Sequence, residues 1–144
     1  MAHFKRKSDK IAHIQSIPLF SKLSQKELAE VARHCEEIQV TAKQVLANEG
    51  KPGSECFIVV SGEITIRRNN RKLTTIGAGG IAGEMALLDE YPRSATLITS
   101  ADSDLLVFSR RDFRLLLDEL PSVSRKLLAT LSERLRATDK AWVG

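Results

Sequence analysis

The spacing of apolar residues changes near Glu37, and this change constrains the fold more than any other feature of the sequence. From there to about Ile66, apolar residues recur near every second position, in short runs separated by glycines. A period of two is typical of β-strands, and a period near 3.6 is typical of helices. Turns this short leave no room for the crossover helices that parallel strands need. The sequence therefore predicts a meander of short antiparallel strands that closes into a small sandwich or barrel.

Helix signals flank this β region on both sides. Ser24 followed by Glu27 has the pattern of a capping box, which predicts a helix over residues 25–34. Ser109 with Asp112 predicts a second helix over residues 110–119. Pro121 lies at a favoured first-turn position for a last helix. At 144 residues the chain has the size of one domain, arranged as helix, strands, helix and helix.

The last helix has apolar residues at spacings of three and four, which predicts one buried face. These residues are Val123, Leu127, Leu128, Leu131 and Leu135.

The segment from Gly77 to Thr99 carries the strongest functional pattern. Pro92 limits a helix that begins near Gly83 to about two turns, since the residue before proline disfavours helical geometry. The first-turn amides of Met85 and Ala86 would then be unpaired donors at the positive end of the helix dipole, which suits an anion.

Two charged residues in this segment leave two interpretations open. Arg93 can grip two phosphate oxygens with its planar guanidinium, and Glu84 can accept hydrogen bonds from a neighbouring sugar hydroxyl. Leu87 and Leu88 would add apolar walls to such a ligand site. In the alternative interpretation, Glu84 and Arg93 form a surface ion pair across a turn.

Residues 77–82 also match the G-x-G-x-x-[GA] fingerprint of dinucleotide-binding folds, with Asp102 placed where an acidic ribose partner would be. That fingerprint requires a strand, a crossover helix and a second parallel strand. Pro92 leaves no room for the helix, so we set the dinucleotide interpretation aside.

Residues 83–88 and 92–96 resemble the phosphate-binding cassette of cyclic nucleotide-binding domains in both residue type and spacing. The resemblance covers nearly the whole chain, including residues 17–20, the glycines around residues 57–59 and the two closing helices. It implies a mainly β fold, an antiparallel, jelly-roll-like β-roll with N-terminal helices and two C-terminal helices. Residues 11–144 would form one such domain, with a helical part (11–36), the β-roll (37–109, cassette at 79–97), and hinge and lid helices (110–144). Residues 1–10 are interpreted as a flexible basic tail.

The resemblance assigns a role to each cassette residue. Glu84 would bind the ribose 2′-hydroxyl and Arg93 the cyclic phosphate. The backbone amides of Gly83, Met85 and Ala86 would complete the phosphate cradle.

The implied ligand is cAMP, with cGMP as the alternative. In the family the residue after the arginine is often Ala, Ser or Thr, and Thr is associated with cGMP preference. Ser94 is compatible with cAMP, and Ala95 would close the pocket with apolar surface. Before the cassette, Gly80 and Ile81 replace the usual acidic and aromatic residues, which predicts a looser strand there.

Residues 132–138 resemble the base-contacting region of bacterial catabolite activator-type regulators. In those proteins a threonine at the place of Thr138 reaches the adenine amino group. Arg134 or Trp142 would instead cap the base by stacking, and a purely structural role for Thr138 and Arg134 is the third interpretation. Those regulators continue into a helix-turn-helix, whereas no recognition helix follows Lys140, so specific DNA binding is not expected.

These features favour a regulatory module that senses cAMP and couples binding to the position of the last helix. The alternatives are a protein-interaction module that has lost nucleotide binding, and a fragment of a DNA-binding regulator, which the net charge of +4 permits. Expected partners are the cyclic nucleotide and an unidentified effector protein. The oligomeric state stays open, with a dimer through the last helix as one alternative.

Catalysis is not expected. His3, His13 and His34 have no acidic or nucleophilic partner at a suitable sequence spacing, and no cluster has metal-ligand spacing. Cys35 and Cys56 are interpreted as structural thiols of a reducing compartment. With neither a secretory signal nor an apolar run long enough to span a bilayer, the expected location is the cytoplasm.

Overall fold

The apolar runs of period two form two four-stranded antiparallel sheets that pack against each other. The computed structural model describes residues 7–88 and 91–138. The strands are β1 (Glu36–Val40), β2 (Val45–Ala47), β3 (Glu55–Ser61), β4 (Ile64–Arg68), β5 (Arg71–Ile76), β6 (Ile81–Ala82), β7 (Thr96–Thr99) and β8 (Ser103–Ser109). The helices are α1 (Lys7–Gln15), a 3₁₀ turn (Pro18–Phe20), α2 (Gln25–Arg33), α3 (Met85–Leu88), α4 (Arg110–Glu119) and α5 (Pro121–Thr138). The predicted mainly β roll with flanking helices is confirmed.

The order of strands in the sheets differs from the predicted meander. One sheet has the order β1-β8-β3-β6 and the other β2-β7-β4-β5. Among the described strands, only β4 and β5 are neighbours both in sequence and in a sheet, joined by a tight turn in which Asn69 and Asn70 have φ of 52° and 62°. The meander was wrong because β3 and β8 are apolar on both faces, so they occupy the doubly covered centre of a sheet rather than pairing with their sequence neighbours.

The first sheet is covered on both faces, which explains the continuous apolar runs of its central strands. In β3, Cys56 and Ile58 point into a cluster shared with the helices, and Phe57 and Val59 point into the core between the sheets. Side chains alternate between the two faces of a strand, so one strand supplies both cores. Because β6 lies within the cassette and pairs with β3, the cassette is attached to the sheet whose central strands are buried on both faces.

The helix caps agree with the sequence. Ser24 accepts a hydrogen bond from the Glu27 amide at 3.2 Å, and the Glu27 side chain accepts one from the Ser24 amide at 2.9 Å. At α4 the Ser109 side chain accepts from the Asp112 amide at 3.1 Å. Both caps satisfy first-turn amides that have no acceptor within the helix. None of the helices within the described ranges has both the length and the apolar character needed to cross a bilayer.

Two expectations about exposed segments need correction. Residues 7–10, assigned to a basic tail, form the first turn of α1, and the Lys10 ammonium donates to the carbonyls of Ala32 and Cys35. A lysine at the carboxyl end of α2 meets unpaired carbonyls there, which holds α1 against α2. In α5, Leu128 and Leu135 are exposed rather than part of the buried face.

Candidate functional site

The strand that leads into the cassette is fixed on the first sheet. Ile81 and Ala82 form β6, pair with Ile58 and Phe57 of β3, and are both buried. The Gly80 carbonyl accepts from the Val59 amide at 2.9 Å. Gly80 and Ile81 both contact β3, and the side chain of Ile81 lies in the apolar core under the helices, while the expected loosening stays a prediction.

Gly83 makes the turn between β6 and α3. Its φ is +86°, a region that residues with a Cβ rarely adopt. A Cβ at this position would lie 2.5 Å from Nη1 of Arg93 and 3.3 Å from the Glu55 carbonyl oxygen. Both the backbone conformation and the adjacent guanidinium therefore require glycine here.

Arg93 is a buried cation with part of its donor set unused. Its Nη1 donates to the Gly83 carbonyl at 2.9 Å, and its Nη2 donates to the Glu55 carbonyl. The residue is 7% exposed, and its Nε is buried with no acceptor among the described residues. Burial lowers the pKa of this guanidinium. A buried, charged donor without an acceptor is costly in free energy, and a bound anion would supply the missing acceptor.

Glu84 pairs with the last helix and not with Arg93. Its Oε1 accepts from Nη1 of Arg134 at 2.7 Å, and Nη2 of Arg134 donates to the Ile81 carbonyl. Both Glu84 and Arg93 are buried, so the alternative of a surface ion pair between them is contradicted. The contact joins α5 to the cassette across 50 residues of sequence.

The environment of Glu84 disfavours its charged form. Burial raises the pKa of this carboxyl above the usual 4.5, and the opposing effects of Arg134, of the Glu84 backbone amide and of Arg93 are smaller. Desolvation penalises a carboxylate more than the nearby cations stabilise it. Perturbed carboxyls of this kind are concentrated at functional sites.

The other predicted site residues surround this centre. Met85 and Ala86 begin α3, and the Glu84 carbonyl accepts from the amides of Leu87 and Leu88, at 3.1 Å each. Leu87 is buried and Leu88 is exposed, so only the first of these two leucines forms an apolar wall.

Beyond the short helix, Ser94 is exposed and Ala95 is buried next to Arg93. Thr138 is the last residue of α5, one turn beyond Arg134, and its side chain is not described. Trp142 lies outside the described residues.

Sequence reasoning missed the main-chain acceptors that hold the two arginines. The carbonyls of Glu55 and Ile81 belong to strands, and any residue supplies a carbonyl, so no side-chain pattern marks them. It also missed Arg114 of α4, whose Nε donates to the Leu87 carbonyl at 3.2 Å and fastens α3 to the helix layer.

His13 and His34 have acidic partners that sequence spacing concealed, whereas His3 lies outside the described residues. Nδ1 of His13 lies 2.8 Å from Glu37, and Nδ1 of His34 lies 2.9 Å from Asp112. The bond with His34 is the largest of the effects that lower the pKa of Asp112. Each pair ties a helical segment to the next layer.

Two clusters of acidic residues and histidine lie close enough together that they could hold a metal ion, and the absence of a metal site stays a prediction. In each, one ligand atom per residue lies within 4.8 Å of the others, and the members are distant in sequence. They are His13 with Glu37 and Asp104, and Glu30 with His34 and Glu119.

Comparison with known proteins places this site in a family. Residues 37–119 match the sequence profile described as the cyclic nucleotide-binding domain. The matched region runs from β1 to the end of α4 and includes the whole cassette.

Individual relatives agree with this match. A cyclic nucleotide-gated potassium channel of Rhizobium etli is 32% identical over 84% of this chain and 34% of its own length. The cyclic AMP receptor protein of Thermus thermophilus is 32% identical over 85% of this chain and 59% of its own. The crystal structure of a cyclic nucleotide-binding domain from Methylobacillus flagellatus is 26% identical, with a TM-score of 0.76 over 96% of this chain and 85% of that one.

The chain spans about one third to three fifths of the length of these two curated relatives. It belongs to the cyclic nucleotide-binding domain family.

Proposed function

We propose that this member of the cyclic nucleotide-binding domain family is a regulatory module that binds cAMP and transmits its presence through the position of α5. The observation that carries the proposal is Arg93, a buried arginine that is 7% exposed and whose Nε lacks an acceptor among the described residues. An exocyclic phosphate oxygen beside Arg93 would satisfy that donor and the buried charge together. In this proposal the site binds the nucleotide without changing it, so the proposed role is regulatory.

In this proposal each cassette residue contacts one part of the ligand. Arg93 and the amides of Gly83, Met85 and Ala86 hold the phosphate, since amides in the first turn of a helix have no acceptor within it. The Glu84 carboxylate accepts the ribose 2′-hydroxyl.

The purine lies toward α5. Ser94 and Ala95 border it on the roll, and Thr138 is the proposed contact to the adenine amino group. A serine at residue 94 is compatible with cAMP, and cGMP is the second ligand to test. The names of the relatives support the ligand class, since one is a cyclic AMP receptor protein and another a cyclic nucleotide-gated channel.

The setting of the module is also proposed. The thiols of Cys35 and Cys56 are free, which favours a reducing compartment, and we place the module in the cytoplasm. Burial raises the pKa of Cys35 to about 12, so its thiol stays protonated at neutral pH. An effector protein, or a second copy meeting the exposed Leu128 and Leu135 of α5, would receive the signal.

The test is calorimetric titration of the protein with cAMP and with cGMP. We expect saturable binding of cAMP, weaker binding of cGMP, and a loss of about ten- to a hundredfold in cAMP affinity on Arg93→Lys, because lysine lacks the planar fork of donors. Arg67→Lys is the matched control, since Arg67 is an exposed arginine of β4. No heat at millimolar nucleotide would favour the protein-interaction module instead.

A further inference from the structure

The hairpin of β4 and β5 carries a concentrated positive charge at its turn. Four of the six residues from 67 to 72, here called the basic tip, are cationic, namely Arg67, Arg68, Arg71 and Lys72. All four are exposed, and no acidic residue lies between residues 64 and 76. Over the part of the chain that the structure describes, none of the four forms an ion pair with a carboxylate. The basic tip therefore presents its charge to the solvent.

The register of the two strands places like charges directly opposite each other. Arg67 pairs with Lys72, and Arg68 pairs with Arg71. Like charges in opposite positions destabilise a sheet, so the folding of the hairpin does not account for this composition. Because neighbouring residues of a strand point to opposite faces, one pair lies on each face of the hairpin. The basic tip is positive on both faces.

Hydrogen bonds hold the basic tip in a defined position at the edge of the second sheet, where β5 is the outer strand. The Asn69 amide donates to Oε1 of Glu49 at 3.0 Å, and Nε of Arg68 donates to the Ser94 carbonyl at 2.9 Å. Glu49 offsets one of the four positive charges, so a net positive charge remains. A surface that is already ordered loses little conformational entropy when it binds a partner.

An exposed leucine adjoins the basic tip. Ile66 pairs with Thr74 and Arg67 pairs with Lys72, so Leu73 is the extra residue of a β-bulge. Bulges at the edge of a sheet redirect side chains, and Leu73 is 50% exposed. Cations beside an exposed aliphatic side chain suit an interface that offers both phosphate groups and hydrocarbon.

We propose that the basic tip and Leu73 form a docking surface for the anionic face of a lipid bilayer. A hairpin that enters a layer of lipid headgroups end-on meets phosphates on both faces, so both pairs of cations are used. A peptide strand or a nucleic acid duplex that lies against one face contacts only one pair and offers Leu73 no hydrocarbon. A bilayer therefore fits more of these residues than either of those polyanions. This docking does not depend on the proposed function.

The experiment is co-sedimentation of the protein with vesicles of phosphatidylcholine alone and with vesicles that also contain phosphatidylglycerol. We expect binding to the anionic vesicles only, and weaker binding as the salt concentration rises. The double variant Arg71→Gln/Lys72→Gln should bind about twentyfold more weakly, because each cation near an anionic surface contributes about fivefold. It also relieves both like-charge pairs, so its melting temperature should not decrease.

Two further variants separate this surface from the overall charge. Lys22→Gln/Lys26→Gln removes the same charge from exposed positions at and before α2 and should leave vesicle binding within about twofold, since salt screens distant charges. Leu73→Ala should weaken binding about threefold at every salt concentration, because it removes apolar surface.

Three results would overturn the docking surface. They are equal losses in the two charge variants, no binding to anionic vesicles, and binding to duplex DNA or polyglutamate without binding to anionic vesicles. Arg71→Gln/Lys72→Gln should keep the cAMP affinity of the wild type, because neither residue belongs to the nucleotide site. A protein that binds anionic vesicles but no nucleotide would support the docking surface and contradict the proposed function alone.

Discussion

Glu84 is buried and paired with Arg134, and burial and pairing have opposite effects on its pKa. Burial raises its pKa above 4.5, while Arg134 and Arg93 favour the carboxylate. A hydroxyl group donates a stronger hydrogen bond to a charged carboxylate than to a neutral carboxyl group. The strength of the proposed contact between Glu84 and the ligand should therefore change at a pH nearer to neutrality than it would for a glutamate with the usual pKa.

We predict that cAMP affinity decreases as the pH falls from 7 toward 4.5, because Glu84 takes up a proton above its usual range. The stability effect of this residue has the opposite direction. A raised pKa means that the folded state binds the proton more tightly, so Glu84 favours folding at low pH, and this contribution is lost as the pH rises through its folded pKa. Calorimetric titrations at pH 7, 6 and 5 measure the affinity change.

Glu84→Gln tests whether Glu84, and no other titrating group, causes the pH dependence of the cAMP affinity. The variant should bind cAMP more weakly at pH 7 and show a flatter pH dependence, since its amide does not titrate. If Glu84→Gln retained the full pH dependence, another group would be responsible. Asp112, whose pKa is lowered chiefly by His34, affects stability only as the pH falls below about 3.8, outside this range.

At the scale of elements, the turn between β6 and α3 sets the position of Arg93. We predict that Gly83→Ala lowers the nucleotide affinity at least about tenfold, because the methyl group displaces the guanidinium of Arg93. It should also lower the free energy of unfolding by about 2 to 4 kcal/mol, because alanine is strained at this positive φ. Urea unfolding measures the stability, and calorimetry the affinity.

Gly50→Ala is the matched control for this substitution. Gly50 has a φ of +81°, but an added Cβ would have no heavy atom within 4 Å. It should lose only the strain, about 1 kcal/mol, and keep its cAMP affinity. The Gly50 amide donates to the Arg93 carbonyl at 2.8 Å, a bond that alanine can also make. Equal losses of affinity in Gly50→Ala and Gly83→Ala would show that the clash of the residue-83 methyl group with the guanidinium is not what weakens binding.

The helix caps and the glycine turn were predictable from local sequence, but the pairing of segments distant in sequence was not. Each cap depends on residues within four positions of Ser24 or Ser109, so a short sequence pattern is enough to predict it. The turn at residue 83 is marked by its glycine in the same way. The place of β6 beside β3, and the meeting of Glu84 with Arg134, depend on how both sheets and α5 pack. Alternating apolar residues identify a strand and its two faces, but several partners can bury those faces equally well.

At the scale of the whole molecule, the cassette connects the two sheets. Arg93 bonds the Glu55 carbonyl at the start of β3 in the first sheet, and its own backbone leads into β7 of the second. Its amide donates to the Lys51 carbonyl at 2.8 Å, which adds the loop between β2 and β3. A ligand held by Arg93 and Glu84 together would therefore stabilise the roll as one unit.

We predict that cAMP raises the melting temperature of the protein, because a ligand that binds only the folded state adds its binding free energy to stability. At a hundred times the dissociation constant this adds about 2.7 kcal/mol, which corresponds to about 5 to 10 °C for a domain of this size. Scanning calorimetry measures the shift, and 5′-AMP, with the same base but an open phosphate ester, should give a smaller one. Because the contacts of Arg93 reach both sheets, the transition should move as a single peak. Two separating peaks would mean that the ligand stabilises the cassette without coupling the sheets, and the bridging role of Arg93 would then be wrong.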